Sequence, residues 1–153
     1  MAPWTGAPRL DGVRVLLIED VPAIRELVAH ALVECGARVT DAQSAVEGLE
    51  RLQEERPDAC LISLTMPGED GYWLIRQIRS LPLDRGRATL SAAFTGHSTE
   101  DDRLEVLRAG FDAHFPKPMD LPDLIQVIAQ LARSTAEPER ELDATAPRCM
   151  YGC

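Results

Sequence analysis

The sequence of 153 residues has few aromatic side chains, few basic side chains and no long apolar run. Aromatic residues make up 5% and hydrophobic residues 45%, so we expect an aliphatic core. Lys and Arg number 16 against 25 Asp and Glu, a formal net charge of -9. Because nucleic acids are bound by clustered Lys and Arg, this balance disfavours nucleic acid as a direct partner. No apolar run approaches the roughly 18 residues of a membrane helix, so no membrane span is expected.

The beginning and the end of the chain are polar. Residues 1–12 contain no apolar signal core, and they are interpreted as the leader of a cytoplasmic protein. Cys35 and Cys60 fall in apolar segments, which favours small buried hydrophobic residues. Cys149 and Cys153 lie near the carboxyl terminus, where their spacing is a weak metal signal and a redox-sensitive tail is the simpler interpretation.

Residues 59–71, ACLISLTMPGEDG, organise the rest of the chain. An apolar run leads to Ser63, and Met66, Pro67 and a glycine-containing turn follow. A short apolar run between turn signals is typical of a strand buried on both faces. The loop after such a strand lies at the carboxyl edge of a parallel sheet, where α/β proteins place their binding and catalytic groups.

Apolar runs and helical periodicities alternate five times along the sequence. The predicted strands are 13–18, 37–40, 59–63, 89–94 and 111–115, and each is followed by a predicted helix. Such alternation predicts an α/β fold with a doubly wound, five-stranded parallel sheet in the order 2-1-3-4-5. The predicted domain covers 13–133, and the polar residues 134–153 are interpreted as a flexible tail.

Leu27 belongs to the apolar stripe of the first helix and Val46 to the apolar positions of the second. The expected helix caps are Ser44 with Glu47 as a capping box, Ser98 or Thr99, and Asp120.

Polar residues follow four of the five predicted strands: Glu19 and Asp20, Ser63, Thr95, and Lys117. In the predicted strand order these residues meet at one edge of the sheet. Two adjacent carboxylates suit Mg²⁺, and a hydroxyl and an ammonium suit an anionic group such as a phosphoryl. Each residue alone is more often a solvated edge, a cap or a surface charge, so the combination is what points to a site.

Four short motifs resemble the receiver domain of two-component response regulators: VLLIED, SLTMPGEDG, the pair Thr95–Gly96, and the KP of HFPKPM. The resemblance extends over 13–133, and AGFDAHFPKP is similar to receivers of hybrid sensor kinases. It implies the flavodoxin-like receiver fold. It also implies a magnesium site made by Glu19, Asp20 and the backbone carbonyl of Thr65.

The resemblance implies three further roles. Thr95 matches the switch hydroxyl, Lys117 matches the lysine that pairs with a phosphoryl oxygen, and His114 stands at the position of the switch aromatic residue. The partner would be a histidine kinase or another signalling protein. It would dock on the face built from the fourth helix, the fifth strand and the fifth helix.

One position departs from the family pattern. Counting back from Met66 and Pro67, Ser63 stands where a receiver has its phosphoacceptor aspartate. Asp58 cannot replace it, because Asp58 precedes Ser63 by five residues, at the start of the strand, and lies about 16 Å away at the opposite edge of the sheet. A serine hydroxyl needs a general base, and no histidine is placed to act as one. Magnesium binding should also weaken without the third carboxylate.

Three interpretations follow from this departure. The favoured one is a degenerate receiver, not an enzyme, that acts through protein–protein contact without aspartyl phosphorylation. The alternative is a functional phosphotransfer receiver that uses Ser63 or another residue. A flavodoxin-like cofactor binder is disfavoured, because the sequence lacks GxGxxG, a P-loop and a GxSxG motif around Ser63.

Overall fold

The computed structural model describes residues 8–95, 100–116 and 121–136. Strands and helices alternate as predicted, with one 3-10 turn at Leu83–Arg85. The strands are β1 Arg14–Ile18, β2 Arg38–Ala42, β3 Ala59–Ser63, β4 Leu90–Thr95 and β5 Ala113–Pro116. The helices are α1 Pro22–Glu34, α2 Ala45–Glu55, α3 Gly71–Arg79, α4 Glu100–Ala109 and α5 Leu121–Ala136. All neighbouring strands are parallel and their order is β2-β1-β3-β4-β5, which confirms the predicted fold class.

Helices cover both faces of the sheet. Apolar residues of α1 and α5 form one core with alternate residues of the strands, and α2, α3 and α4 form the other core with the remaining strand residues. Every residue of β3 is buried, as predicted for a strand at the centre of a parallel sheet. Within the ranges that the structure describes, no helix is long and apolar enough to cross a membrane.

The first turns of α2 and α3 are capped by side chains. The Ser44 hydroxyl accepts a hydrogen bond of 3.1 Å from the Glu47 amide, and the Glu47 carboxylate accepts one of 2.9 Å from the Gln43 amide. This is the predicted capping box, except that the return bond goes to the residue before the cap. The Asp70 carboxylate accepts the Trp73 amide at 2.9 Å and caps α3. These caps fix where each helix leaves its loop.

Two residues of the predicted apolar stripes are not in the core. Leu27 is 53% exposed and Val46 is 50% exposed, so their expected burial was wrong. Leu27 is one residue from buried Val28, about 100° around the helix. Val46 lies in the first turn of α2, next to the exposed cap. The buried stripes are therefore narrower than the apolar pattern indicated.

Two aspartates bind the amino edge of the sheet. The Asp58 carboxylate accepts the Arg14 amide at 2.9 Å, and the Asp58 amide donates to the Arg14 carbonyl at 2.8 Å. Asp112 makes the same pair of bonds with Ser91, at 2.9 and 2.8 Å. Asp58 thus lies at the amino end of β3, away from Ser63, as predicted.

Arg79 connects the end of α3 to the same edge. Its guanidinium donates to the carbonyls of Arg87, Thr89 and Gly110 at 2.6 to 3.0 Å. It also forms an ion pair of 2.9 Å with Asp112. Since a planar guanidinium offers five donors in a fixed geometry, one side chain ties α3 to the starts of β4 and β5.

Packing reaches into the segment interpreted as a leader. Leu10 is completely buried in the core beside α1 and α5, and its amide donates to the Cys35 carbonyl at 2.7 Å. At the other end, α5 extends to Ala136. Residues 1–7 and 137–153 lie outside the described residues, as do Cys149 and Cys153, so the domain bounds remain predictions.

The two internal cysteines are buried and free, as predicted. Complete burial raises the pKa of the Cys60 thiol to about 12, because a thiolate is disfavoured away from water. Cys60 is therefore a protonated core side chain at neutral pH.

We expect Leu10→Ala to lower the free energy of unfolding by about 2–4 kcal/mol, because it leaves a cavity in a closed core. Leu27→Ala is the matched control, since it removes the same atoms from an exposed position, and it should cost less than about 0.5 kcal/mol. Urea unfolding of both variants measures this difference. Equal stability of the two variants would show that the buried Leu10 side chain adds nothing to the stability of the fold.

Candidate functional site

The register of β1 and β3 brings Glu19 and Ser63 to the same edge of the sheet. Ile18 pairs with Ile62, and Glu19 and Ser63 follow these two residues. Both side chains are buried, with exposed fractions of 2% for Glu19 and 1% for Ser63. By strand alternation both extend toward the face covered by α1 and α5. The structure therefore places the first predicted acid beside the predicted phosphoacceptor position.

The loop that carries the acid pair is held by several hydrogen bonds. The Glu19 carboxylate accepts the Val21 amide at 3.1 Å, and the Glu19 amide donates to the Ala42 carbonyl at 3.0 Å. The guanidinium of Arg25 donates to the carbonyls of Glu19 at 2.8 Å and Asp20 at 3.4 Å. Asp20 is more exposed than Glu19. The acid pair thus combines one buried and one accessible carboxylate on an ordered loop.

The loop after β3 is equally compact. The Ser63 hydroxyl donates to the Thr65 carbonyl at 3.3 Å, and the Gly71 amide donates to the Leu64 carbonyl at 3.0 Å. A Cβ atom at Gly71 would lie 2.6 Å from the Ser63 carbonyl oxygen and 2.8 Å from Leu64 Cα. Only glycine allows the start of α3 to approach this backbone so closely. Gly71 therefore lets α3 begin directly against the backbone of Ser63 and Leu64.

Thr95 and His114 are buried at the ends of β4 and β5. Thr95 pairs with Pro116 and His114 with Ala93. Alternation therefore places both side chains on the face covered by α3 and α4. A depression of about 310 Å³ opens beside Thr95, lined by Leu64, Thr65, Met66, Gly68, Asp70, Tyr72, Thr95 and Asp102. The predicted switch residues thus share one face, and Thr95 reaches an accessible groove.

Carboxylates lie along one side of this groove. Burial raises the pKa of the Tyr72 phenol, and the carboxylates of Glu105, Asp102 and Asp70 raise it further. A nearby anion disfavours the phenolate, so Tyr72 remains a neutral hydroxyl. The groove beside Thr95 is therefore acidic on the side formed by Asp70 and Asp102.

Lys117 lies outside the described residues, so its distance from Glu19 and Ser63 remains a prediction. The same holds for Gly96 and for the expected caps Ser98, Thr99 and Asp120.

The donors for a metal ion are few. Within 8–95, 100–116 and 121–136 there is no group of three or more His, Cys, Asp or Glu side chains that could hold a metal ion. Glu19, Asp20 and the Thr65 carbonyl offer only oxygen atoms, which are the ligands that Mg²⁺ takes, often with one or two carboxylates and several waters. These donors fit Mg²⁺ in kind, with one carboxylate fewer than the three expected of the family.

Two residues of the site were missed from the sequence. Arg25 stands between the apolar positions of α1, where a charged residue is expected to face solvent, and its contact with the Glu19 carbonyl depends on how α1 sits on the sheet. Gly71 was interpreted only as the end of a turn. Its close approach to Ser63 depends on the packing of α3 and leaves no mark in the local sequence.

Comparison with protein families and curated proteins supports one assignment. The family model of the response regulator receiver domain matches residues 15–129. An uncharacterized 14.6 kDa protein of Leptolyngbya boryana is 36% identical over 116 residues, which cover 76% of this chain and 87% of that protein. The response regulator MprA of Mycobacterium ulcerans is 34% identical over 135 residues, which cover 88% of this chain. The matched region spans about half of MprA, 56% of its length.

Solved structures share the fold. The receiver domain of the Francisella response regulator 1452 superimposes with a TM-score of 0.75 at 23% identity, covering 81% of this chain and 99% of that one. The receiver domain of the sensor histidine kinase PA1611 of Pseudomonas aeruginosa has a TM-score of 0.72 at 28% identity, covering 80% and 98%. That domain was crystallised with a magnesium ion coordinated in its active site cleft. The strand order, the family match over residues 15–129 and these relatives together show that this chain belongs to the response regulator receiver domain family of two-component signalling.

Proposed function

We propose that this receiver has lost aspartyl phosphorylation and acts as a signalling module through protein–protein contact. The observation behind the proposal is Ser63, a buried hydroxyl at the end of β3 and beside Glu19. Family resemblance puts the reactive aspartate at this position. Asp58 directly precedes β3, but its carboxylate accepts a hydrogen bond from the Arg14 amide at the opposite edge of the sheet.

A serine changes the chemistry of the position. An aspartate is ionised at neutral pH and can attack a phosphoryl group directly, whereas a serine must transfer its proton to a general base. The Ser63 hydroxyl donates to the Thr65 carbonyl, which cannot serve as a base. His30 is on the exposed surface of α1 and contacts Glu34 at 2.9 Å. The bond to the Thr65 carbonyl thus favours a structural role for Ser63.

Magnesium would be held by Glu19, Asp20 and the Thr65 carbonyl. When bound, the ion neutralises oxygen charge on a phosphoryl group. Binding should be weak, because Ser63 supplies no charge and its hydroxyl already engages the Thr65 carbonyl. Thr95 and Lys117 would bind an anionic group such as a phosphoryl, and His114 would be the switch residue. Lys117 is the single lysine of the sequence.

The docking surface would be the face formed by α4, β5 and α5. Val106 is the buried residue of α4, so most of this helix is available for contact. Its first turn contains Glu100, Asp101 and Asp102, which favours a basic surface on the partner. The protein would act in the cytoplasm. Its partner would be a histidine kinase or another signalling protein, and the module would have no enzymatic activity of its own.

A working phosphotransfer domain is the second candidate. The retained Glu19, Asp20 and Thr95 favour it, because these residues would serve phosphoryl transfer and are not needed for docking alone. In that case Ser63 or another residue would accept the phosphoryl group.

The phosphodonor test separates the two candidates. We expect the wild-type protein, incubated with a small acyl phosphate and Mg²⁺, to show no added phosphoryl group by intact mass. Ser63→Asp is the positive control and should gain a base-labile adduct, since an acyl phosphate hydrolyses readily. An acid-stable adduct mapped to Ser63 in the wild type would instead establish the second candidate.

Ser63→Asp should also tighten magnesium binding, because a third carboxylate joins Glu19 and Asp20. A charge-assisted contact contributes about 1–3 kcal/mol, so about a tenfold gain in affinity is expected. The same change should lower the melting temperature without metal, since three close carboxylates repel one another. Calorimetry and thermal melting with and without Mg²⁺ measure both effects. Ser63→Asn is the uncharged control. If the melting temperature of Ser63→Asp is the same with and without Mg²⁺, the proposed magnesium site is refuted.

A further inference from the structure

We propose that Arg25 is the positioning residue of the acid pair. Its side chain would hold the main chain of the loop between β1 and α1, so that Glu19 and Asp20 keep a cation-binding arrangement before any cation arrives. This inference rests on the proposed function, because it concerns the same site.

The contacts of Arg25 join three parts of the fold. The Nη1 atom donates to the carbonyls of Glu19 at 2.8 Å and Asp20 at 3.4 Å. The Nε atom lies 3.9 Å from a carboxylate oxygen of Asp41 in β2. The Arg25 amide donates to the Val21 carbonyl at 2.9 Å, in the first turn of α1. One residue therefore connects α1, the acid loop and β2.

Burial makes these contacts specific. The Arg25 side chain is 17% exposed, although most arginine side chains lie at the surface. A charge so far removed from water needs acceptors, and the two loop carbonyls provide them. Because the guanidinium is planar and rigid, its geometry also fixes the direction of the carbonyls, which a flexible ammonium would do less well. The conformation of the loop is thereby coupled to α1.

Arg25 would affect cation binding in two opposite ways, through the position of the loop that it holds and through its own positive charge. Holding the loop in place strengthens binding, because groups behind the ligands of a metal ion orient them. The positive charge of Arg25 weakens binding by repulsion. Arg25→Lys keeps the charge and loses the planar donor, while Arg25→Gln removes the charge and keeps an amide donor. The two variants therefore separate positioning from electrostatics.

The test uses the Ser63→Asp background, in which Mg²⁺ binding is strong enough to measure. If Arg25 positions the loop, both Arg25→Lys and Arg25→Gln should weaken Mg²⁺ affinity about tenfold, the low end of the effect of residues behind a metal ligand. Asp41→Asn is the control, because Asp41 is 54% exposed and its contact with Arg25 is long, and it should change affinity less than about twofold. Tighter binding by Arg25→Gln would show that charge dominates and would overturn the proposal. Unchanged affinity together with a lower melting temperature would reduce Arg25 to a purely structural residue.

Hydrogen exchange tests the same inference without metal. In the wild-type background, Arg25→Gln should speed exchange at the Val21 amide, which donates to Glu19, about tenfold or more. The Trp73 amide, capped by Asp70 in α3, should be unaffected. Unchanged exchange at Val21 would overturn the positioning role even if the metal site exists. Failure of Ser63→Asp to bind Mg²⁺, with faster exchange at Val21, would reject the proposed metal site and keep the role of Arg25.

Discussion

The parallel pairing of β1 with β3 is the constraint on which the site depends. Ile18 lies opposite Ile62, so the residues that follow, Glu19 and Ser63, reach the edge of the sheet side by side. A shift of one residue would turn one of these side chains to the other face, because alternate residues of a strand face opposite sides. The register is protected by burial on both faces, since such a shift would also exchange the two cores. The placement of Glu19 beside Ser63 is thus a consequence of core packing.

The sequence predicted the fold well, because each of its signals is local. Ser44 and Glu47 cap α2, the apolar residues 59–63 form the central strand, and Asp58 was correctly separated from Ser63 by counting along an extended chain. Tertiary contacts were harder to predict from the sequence. The apolar pattern could not show that Leu27 faces solvent, because exposure depends on which residues the helix packs against.

The supporting residues of the site were the hardest to foresee. Arg25 reaches backward along the chain to two carbonyls, and Gly71 is required by an approach of α3 to the Ser63 backbone. Neither contact follows from residue spacing, because both depend on how a helix sits on its strand. Side chains that bind a ligand tend to follow strands at recognisable positions. The residues that orient these side chains depend instead on how the helices pack on the sheet. Ser63 stands between these classes, since it is proposed to occupy the place of a reactive group and its hydroxyl donates to the main chain of its own loop.

A polar network around Arg79 lies at the opposite edge of the sheet from Glu19 and Ser63. Arg79 and Asp112 bind α3, β4 and β5 together at the amino edge, and Asp58 joins β3 to β1 there. These contacts hold the sheet together at one end, and the proposed signalling residues occupy the other. Substitutions at well-separated sites act nearly independently. Exchanging a side chain at the carboxyl edge should therefore leave the tethers of the amino edge in place, so the scaffold can persist while the chemistry at its opposite rim changes.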